Sequence, residues 1–415
     1  MDVIVKSPKL KQRADLTYKH NTVSGRHGWL RLTPAYSVKV VEEVLPSAGE
    51  GSRVLDPFSG TATTTLCAAT HGMEAVSIDV NPFLVWLGNA KLAHYSRDQL
   101  AAARAAGTRA MASACNPKGP RADAPPLFNI ERWWPADRLE FLCRLKAALN
   151  AEDALDKGAH DLLSVALCRS VITLSNAAFN HQSMSFKKPT DQPGLFEELS
   201  VHAAQYEADL DHVLKSAGEN PPVKGKVVEG DSRNVAAALE GRFDLVVTSP
   251  PYPNRMSYIR ELRPYMYWLD YIKEAREAGE LDWKAMGGTW GMATSALNTW
   301  ERPVDGFSTP HFEKVLFDIA HADNKNGEVL SRYVAKYFVD MNNHLASMRT
   351  VLNPGAKLHY IVGNSTFYGT LLPVELLFED MFRGLGFTDI SHVAIRKRNS
   401  KKELFEYDVT ATWPG

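Results

Sequence analysis

Phe243-Asp244-Leu245-Val246-Val247-Thr248-Ser249-Pro250-Pro251-Tyr252 decides the fold. Residues 243–248 form an almost continuous apolar run, the pattern of a strand buried on both faces of a parallel sheet. Two prolines end it, because neither has an N–H to give and both fix φ. The chain therefore stops at the carboxyl end of the strand, where open α/β sheets place their ligands. A hydroxyl, carbonyls without ladder partners and an aromatic ring stand there. Such groups suit a flat ring that bears an amine: acceptors for its NH2 and a face to stack on. A Pro-Pro stop alone is common in loops, so the weight falls on what the other strand ends carry.

Working outward, Lys226-Val227-Val228-Glu229 reads as a strand ending at Gly230-Asp231-Ser232-Arg233, with a short helix over 235–239. Further upstream, Arg53-Val54-Leu55 is a strand, Asp56-Pro57-Phe58-Ser59-Gly60-Thr61-Ala62 a turn, and 63–71 a helix. Ala75-Val76-Ser77-Ile78 is the next strand, ending at Asp79-Val80-Asn81-Pro82 before a helix over 83–93. Strand, turn, helix and strand with a terminal acid make a nucleotide-binding half-unit. Asp79 lies about twenty residues beyond the glycine turn, where an acid can bind ribose hydroxyls. An Asp at a strand end also commonly caps the next helix. Four such ends in register along one sheet are harder to explain by capping alone.

The chain has 415 residues, 45% hydrophobic and 23% charged, with a formal net charge of -1. This is ample for a large core. Near-neutrality excludes a globally basic coat, so a nucleic-acid partner would need a local basic surface. There is no run of about 18 apolar residues and no signal-peptide pattern in Met1-Asp2-Val3-Ile4-Val5-Lys6, so no membrane association is expected. Cys67, Cys115, Cys143 and Cys168 are scattered without metal-ligand spacing. Reduced, inert thiols, a cytoplasmic location and no metal are the expectation.

The β/α alternation is interrupted. Residues 1–93 hold a basic arm (1–28, solvated or touching phosphates), a helix over 34–45 and the first half of the sheet. Residues 94–222 read as a mostly helical insertion. It has an alanine-rich helix over 97–114, a Pro/Gly linker over 115–126, helices around 136–149 and 159–178, and a polar-aromatic stretch through Lys188. Residues 223–415 resume the sheet. A helix over 255–278, a long loop or lid over 279–326, and a helix over 329–351 precede Pro354-Gly355 and a strand over 358–362. A helix follows over 372–384. Two closing strands, 389–395 and 405–413, flank a basic link, Arg396 to Lys402, and suggest an antiparallel hairpin at the sheet edge.

Taken together, Asp56-Pro57-Phe58-Ser59-Gly60 with Thr63, Ile78-Asp79-Val80-Asn81-Pro82, Gly230-Asp231-Ser232 and Ser249-Pro250-Pro251-Tyr252 resemble the DNA amino-methyltransferases that use S-adenosylmethionine (SAM). The Ser-Pro-Pro-Tyr form is similar to the cytosine-N4 type. The resemblance covers roughly 24–93 and 226–413. It implies a Rossmann-like SAM-dependent methyltransferase sheet. It places Asp56, Pro57, Phe58 and Gly60 against the methionine part of SAM, Asp79 with Asn81 at the ribose, and Asp231 with Ser232 at the adenine. Ser249 and the Pro250 carbonyl would hold the target amine, Pro251 would stiffen the loop, and Tyr252 would stack on the base. Ala62 departs from the family, which often has a second glycine there. By analogy, 94–222 is the target-recognition region or else a structural or dimerising insertion. His181, Ser183, Ser185, Lys187 and Lys188, with Arg255, Arg396 and Arg398, are the candidate DNA contacts. The partner implied is double-stranded DNA with a flipped-out base, in the setting of restriction–modification, where a cognate endonuclease can accompany the enzyme.

Rival readings are an adenine-N6 DNA enzyme, an RNA base amino-methyltransferase, and a non-catalytic SAM-dependent nucleic-acid-binding subunit. A dehydrogenase fits worse, since the turn after Leu55 lacks the glycine triplet that a pyrophosphate requires.

Overall fold

Short Val/Leu/Ile runs become the middle of a seven-stranded sheet. In this computed structural model the described residues are 10–32, 35–178, 185–187, 199–254, 257–287, 294–322, 325–398 and 403–415. The strands are β1 (Val54–Asp56), β2 (Ala75–Asp79), β3 (Lys226–Glu229), β4 (Phe243–Thr248), β5 (Leu352–Gly363), β6 (Thr388–Lys397) and β7 (Phe405–Trp413). Their spatial order is β3-β2-β1-β4-β5-β7-β6. All pairings from β3 to β5 are parallel. Only β7 is reversed, pairing antiparallel with both neighbours, so the closing hairpin is at the edge as expected. The order turns back between β1 and β4, which opens a crevice above their carboxyl ends.

Helices cover both faces of the sheet because the buried strands are apolar on both sides. Leu245 and Val247 of β4 pack with α1 (Val38–Val44) and α2 (Thr63–Thr70), while Val246 packs on the opposite face. That opposite layer holds α10 (Pro310–Ala320), α11 (Gly327–Met348) and α12 (Val374–Gly384). The stretch expected to be a long loop thus carries a regular helix. Its signals were present in the sequence: Thr309 accepts a cap bond from Phe312 N–H, Pro310 takes the first position, and Phe312, Val315, Leu316 and Ile319 repeat at helical spacing. A shorter helix, Thr294–Thr299, lies in the same stretch. The expected helix over 255–278 is instead two, α8 (Tyr258–Trp268) and α9 (Ala275–Lys284), separated at Asp270, which has φ of 60°. β5 starts earlier than expected, running through Pro354-Gly355 by way of a register shift against β4.

The described residues of 94–222 are mostly helical, as expected. The main elements are α4 (Arg97–Ala114), α5 (Ala136–Asn150), α6 (Lys157–Thr173) and α7 (Leu199–Ala217). They do not bury a core of their own. Their leucines and alanines share one cluster with Trp29, with Phe83 and Leu87 of α3 (Pro82–Leu92), and with Tyr265 and Trp268 of α8. Ala103, Ala106 and Ala110 of α4 are buried, and Gly107 leaves room for Leu210 to approach the helix backbone. No helix among the described residues is long and apolar enough to cross a membrane.

The second half of the basic arm is folded onto the protein rather than a free solvated segment. Residues 14–28 fold as short helical turns, and Arg26 is 4% exposed. Its guanidinium donates to the carbonyls of Lys91 (2.8 Å), Ala93 (2.6 Å), Ser216 (3.3 Å) and Ala217 (2.6 Å), and to Asn220 Oδ1 (2.8 Å). These are the ends of α3 and α7, so one side chain closes the insertion onto the sheet. Arg26→Ala should therefore lower stability by at least about 2 kcal/mol, because several helix-end carbonyls lose a charged donor. Arg26→Lys should recover little of it, since an ammonium cannot reproduce the planar fork. Denaturant unfolding of the three proteins checks this.

Candidate active site

The carboxyl ends of β1, β2, β3 and β4 meet at one cavity of about 1020 Å3 of empty space, its open mouth included. It is lined by Pro57, Phe58, Ser59 and Gly60, by Asp79 and Asn81, by Asp231 and Ser232, and by Ser249 and Pro251. Residues expected from four separate strand ends therefore face one space. Asp56, Pro250 and Tyr252 are not among its lining residues.

Asp79 is held by the backbone. Its Oδ1 accepts from Asn81 N–H and its Oδ2 from Gly60 N–H, each at 2.9 Å. The Gly60 bond needs the turn to bend back, which φ of 50° at that residue provides. No atom other than Phe58 O lies within 4 Å of where a Gly60 Cβ would stand, so a ligand can lie directly on the turn. Ala62 also has a left-handed backbone, φ 59°. The alanine thus occupies a conformation that favours glycine, and it does so fully buried.

Asp56 lies under the turn rather than in the cavity. It is wholly buried, and its Oδ1 accepts from Phe58 N–H (3.0 Å) and from the Thr248 hydroxyl (2.6 Å). Burial pushes its carboxyl up to about 6 against those bonds. Its observed part is to tie β4 to the turn.

At the β3 end, Asp231 accepts from the Arg233 backbone N–H (2.9 Å) and from Arg233 Nε and Nη2 (2.9 and 2.6 Å). Burial pushes this carboxyl up, but Arg233 outweighs it and holds it below the ordinary value. The Ser232 hydroxyl donates to Pro57 O. Asn81 caps α3 through Phe83 N–H (3.0 Å), so its side chain fills the structural role open to strand-end residues. Beneath the site, His344 Nδ1 donates to Ser232 O and its Nε2 accepts from the Tyr360 hydroxyl, both at 2.7 Å. Burial lowers His344 to about 4, which matches this neutral, singly protonated ring. Its ring also supports Phe58 edge-on at 4.7 Å.

The Pro-Pro loop is fixed at both ends. The Ser249 hydroxyl lies 3.1 Å from Ile361 O and 3.3 Å from Tyr252 Oη. The Tyr252 N–H donates to Tyr258 Oη at 2.8 Å, and the Tyr252 hydroxyl donates to Glu406 Oε1 at 2.9 Å. Arg398 lies over the Tyr252 ring at 4.9 Å and donates to Asn364 O at 2.8 Å. A Cβ on Gly363 would collide with both Arg398 Nη1 and Tyr252, so this crossing needs a glycine.

Several residues here were not expected from sequence. Tyr36, Tyr258, Glu261, Leu262, Lys284 and Met286 line the cavity, and Glu406 supports Tyr252 from β7. Leu32 and Ala35 also line the cavity. Among the candidate DNA contacts, Arg396 is instead forked onto Glu406, Nε to Oε2 at 2.7 Å and Nη2 to Oε1 at 3.0 Å. Lys187 is exposed. His181, Ser183, Lys188 and Arg255, and the side chain of Ser185, lie outside the described residues.

Comparison with known proteins finds two relatives that are Type II methyltransferases. One is the Type II methyltransferase M.BsoBI of Geobacillus stearothermophilus, 21% identical over 449 residues, covering 97% of this chain and 87% of that protein. Another is the Type II methyltransferase M.MvaI of Kocuria varians, 22% identical over 365 residues, with coverage of 83% and 77%. No family model matches the chain. Among solved structures, the rRNA methyltransferase aviRa of Streptomyces viridochromogenes aligns over 91% of this chain and 86% of its own. It does so at 11% identity and a TM-score of 0.30, too low for residues to be equated.

Burial pushes the Asp79 carboxyl up to about 7. A ligand that donates hydroxyl hydrogens to it prefers the carboxylate, so bound Asp79 should titrate lower than free Asp79. SAM affinity should then weaken as pH falls through about 7, and Asp79→Asn should bind weakly with that dependence gone. Equilibrium titration from about pH 5.5 to about 8.5 checks this. An affinity that is flat with pH in the wild type would remove Asp79 from the contact set.

Proposed function

We propose that the protein is a SAM-dependent DNA methyltransferase that modifies the exocyclic N4 amine of a flipped-out cytosine at a specific site, as the modification partner of a restriction endonuclease. The observation that carries this reading is the shared cavity. Ser249, at the end of β4, faces the same space as Gly60, Asp79 and Asp231. The Type II methyltransferase relatives support its coarser part, methyl transfer of that type.

The residues present suit the cofactor. Ser59 lines the cavity with a buried hydroxyl that has no hydrogen-bond partner among the described residues, and Gly60 leaves open space above the turn. The turn 57–60 would hold the methionine part of SAM. Each Asp79 oxygen keeps a lone pair for a ribose hydroxyl. Asp231 lines the same space, and its Oδ2, which accepts from both Arg233 Nε (3.0 Å) and Nη2 (2.6 Å), would share that fork with the adenine amine. When bound, SAM supplies an electrophilic methyl.

The chain's own contribution is to make the amine reactive. A cytosine amine is a weak nucleophile because its lone pair is delocalised into the ring. Acceptors placed off the ring plane draw its N–H bonds toward tetrahedral geometry and return density to nitrogen. Ser249 Oγ and the Pro250 carbonyl are those acceptors, and the two prolines keep them rigid, so little reorganisation remains at reaction. No covalent enzyme intermediate is required. A base within a duplex cannot reach such a cavity, so it must leave the stack. Tyr252 offers a ring to receive it, worth about 1–3 kcal/mol by analogy with single-strand binders. Arg398, which now covers that ring, then becomes available to a backbone phosphate.

Purified protein with methyl-labelled SAM and mixed-sequence DNA should yield labelled N4-methylcytosine on nucleoside digestion. Label confined to N6-methyladenine would overturn the cytosine assignment, and label in RNA alone would overturn DNA as substrate. Ser249→Ala should bind SAM normally yet lose about 100-fold or more in turnover. Unchanged turnover would remove Ser249 from the chemistry.

A further inference from the structure

Glu406 is out of character for its position. It is 3% exposed, in the polar register of β7 where Asp408 and Thr410 are only half-buried. A lone carboxylate there would be strongly disfavoured. Arg396, its direct cross-strand partner on β6, provides two donors. The third donor comes from outside the hairpin, the Tyr252 hydroxyl at 2.9 Å. Glu406 also pairs with Gly363 at the end of β5, which brings the edge hairpin against the Pro-Pro loop.

The directions of these bonds are constrained. An ion-paired carboxylate only accepts, so the Tyr252 hydrogen is committed to it. Burial, and then the charge of Glu406, raise the Tyr252 phenol well above its ordinary value, which keeps that hydrogen on the ring oxygen. Toward Ser249 the phenol oxygen is therefore an acceptor only. The single hydrogen of Ser249 goes to that oxygen or to Ile361 O. In both arrangements the phenol gives Ser249 Oγ no hydrogen, and its lone pairs stay open to an incoming N–H.

We propose that Glu406, anchored by Arg396, is a positioning residue that sets the hydrogen-bond polarity of the loop, so that Ser249 acts as an acceptor toward the target amine. The proposal rests on the role given to Ser249 above. Without the carboxylate, the Tyr252 hydroxyl can turn its hydrogen onto Ser249 Oγ and occupy the lone pair that the amine needs. A purely structural Glu406 would neutralise Arg396 and steady the hairpin, with no link to Tyr252.

A kinetic cycle on the full chain separates the two, using SAM and a DNA that the wild type methylates. In Glu406→Gln the amide NH2 must face one of the three donors that now meet carboxylate oxygens. This variant should lose about tenfold or more in kcat, with KM for SAM unchanged, and should have no further effect when combined with Tyr252→Phe. Arg396→Lys, which keeps the charge but not the fork, should show the same dependence on the Tyr252 hydroxyl and serves if Glu406→Gln does not fold. An unchanged kcat, or an equal loss with and without that hydroxyl, would overturn the proposal. If the wild type methylates no nucleic acid, the reading of Ser249 fails instead, before the cycle begins.

Discussion

A buried carboxylate joins the two halves of the site. Asp56 Oδ1 accepts from Phe58 N–H in the turn after β1 and from the Thr248 hydroxyl at the end of β4. Thr248 directly precedes Ser249, so the turn over which the cofactor would lie and the loop that would hold the base are fixed to one oxygen atom. A second tie runs alongside, from the Thr64 hydroxyl to Val247 O at 2.9 Å. In-line transfer depends on small errors in placement, and short buried bonds between adjacent strand ends are a direct way to limit them. Burial of Asp56 is the counterpart of this rigidity, and it shows in a carboxyl raised to about 6.

Outward from that bond the structure is a series of supports. Asp79 gathers the N–H groups of Gly60 and Asn81, which shapes the turn from its other side. His344 and Tyr360 hold Ser232 from beneath. Glu406 and Arg396 hold Tyr252 from the sheet edge. The antiparallel β6–β7 hairpin is thus more than an edge strand: it supplies a buried ion pair in contact with the Pro-Pro loop. The insertion helices share a core with α3 and α8, both of which line the cavity, through Asn81 at the α3 cap and Tyr258 and Leu262 of α8. Whatever engages the insertion is thereby mechanically close to the site.

Sequence patterns exposed the parallel core well, for a physical reason. Strands buried on both faces must be apolar throughout, and they must end where Gly, Pro or Asp interrupts the ladder. Asp79, Asp231 and Ser249 were legible because each stands at such an interruption, whereas Asp56, also at a strand end, lies beneath the turn instead of in the cavity. Long-range partners were not. Arg26 reads as one of several basic residues in a polar arm, and nothing local marks the five acceptors that enclose it. Glu406 left no trace, because it falls in the polar register of an alternating strand with Asp408 and Thr410, and its partner Tyr252 is 154 residues away. Arg396 and Arg398 read as a basic surface for the same reason, until their contacts with Glu406 and Tyr252 are seen. The helix over 310–320 was legible from its cap and spacing, and was obscured by the glycines and tryptophans around it.

The central claim is that the cofactor turn and Ser249 face one another across a single cavity. A crystal structure with S-adenosylhomocysteine bound tests it most directly. The account expects the ribose on Asp79 and the sulfur directed toward Ser249 Oγ, with room between them for a methyl and an amine. A ligand bound elsewhere, or one whose sulfur points away from the Pro-Pro loop, would contradict it.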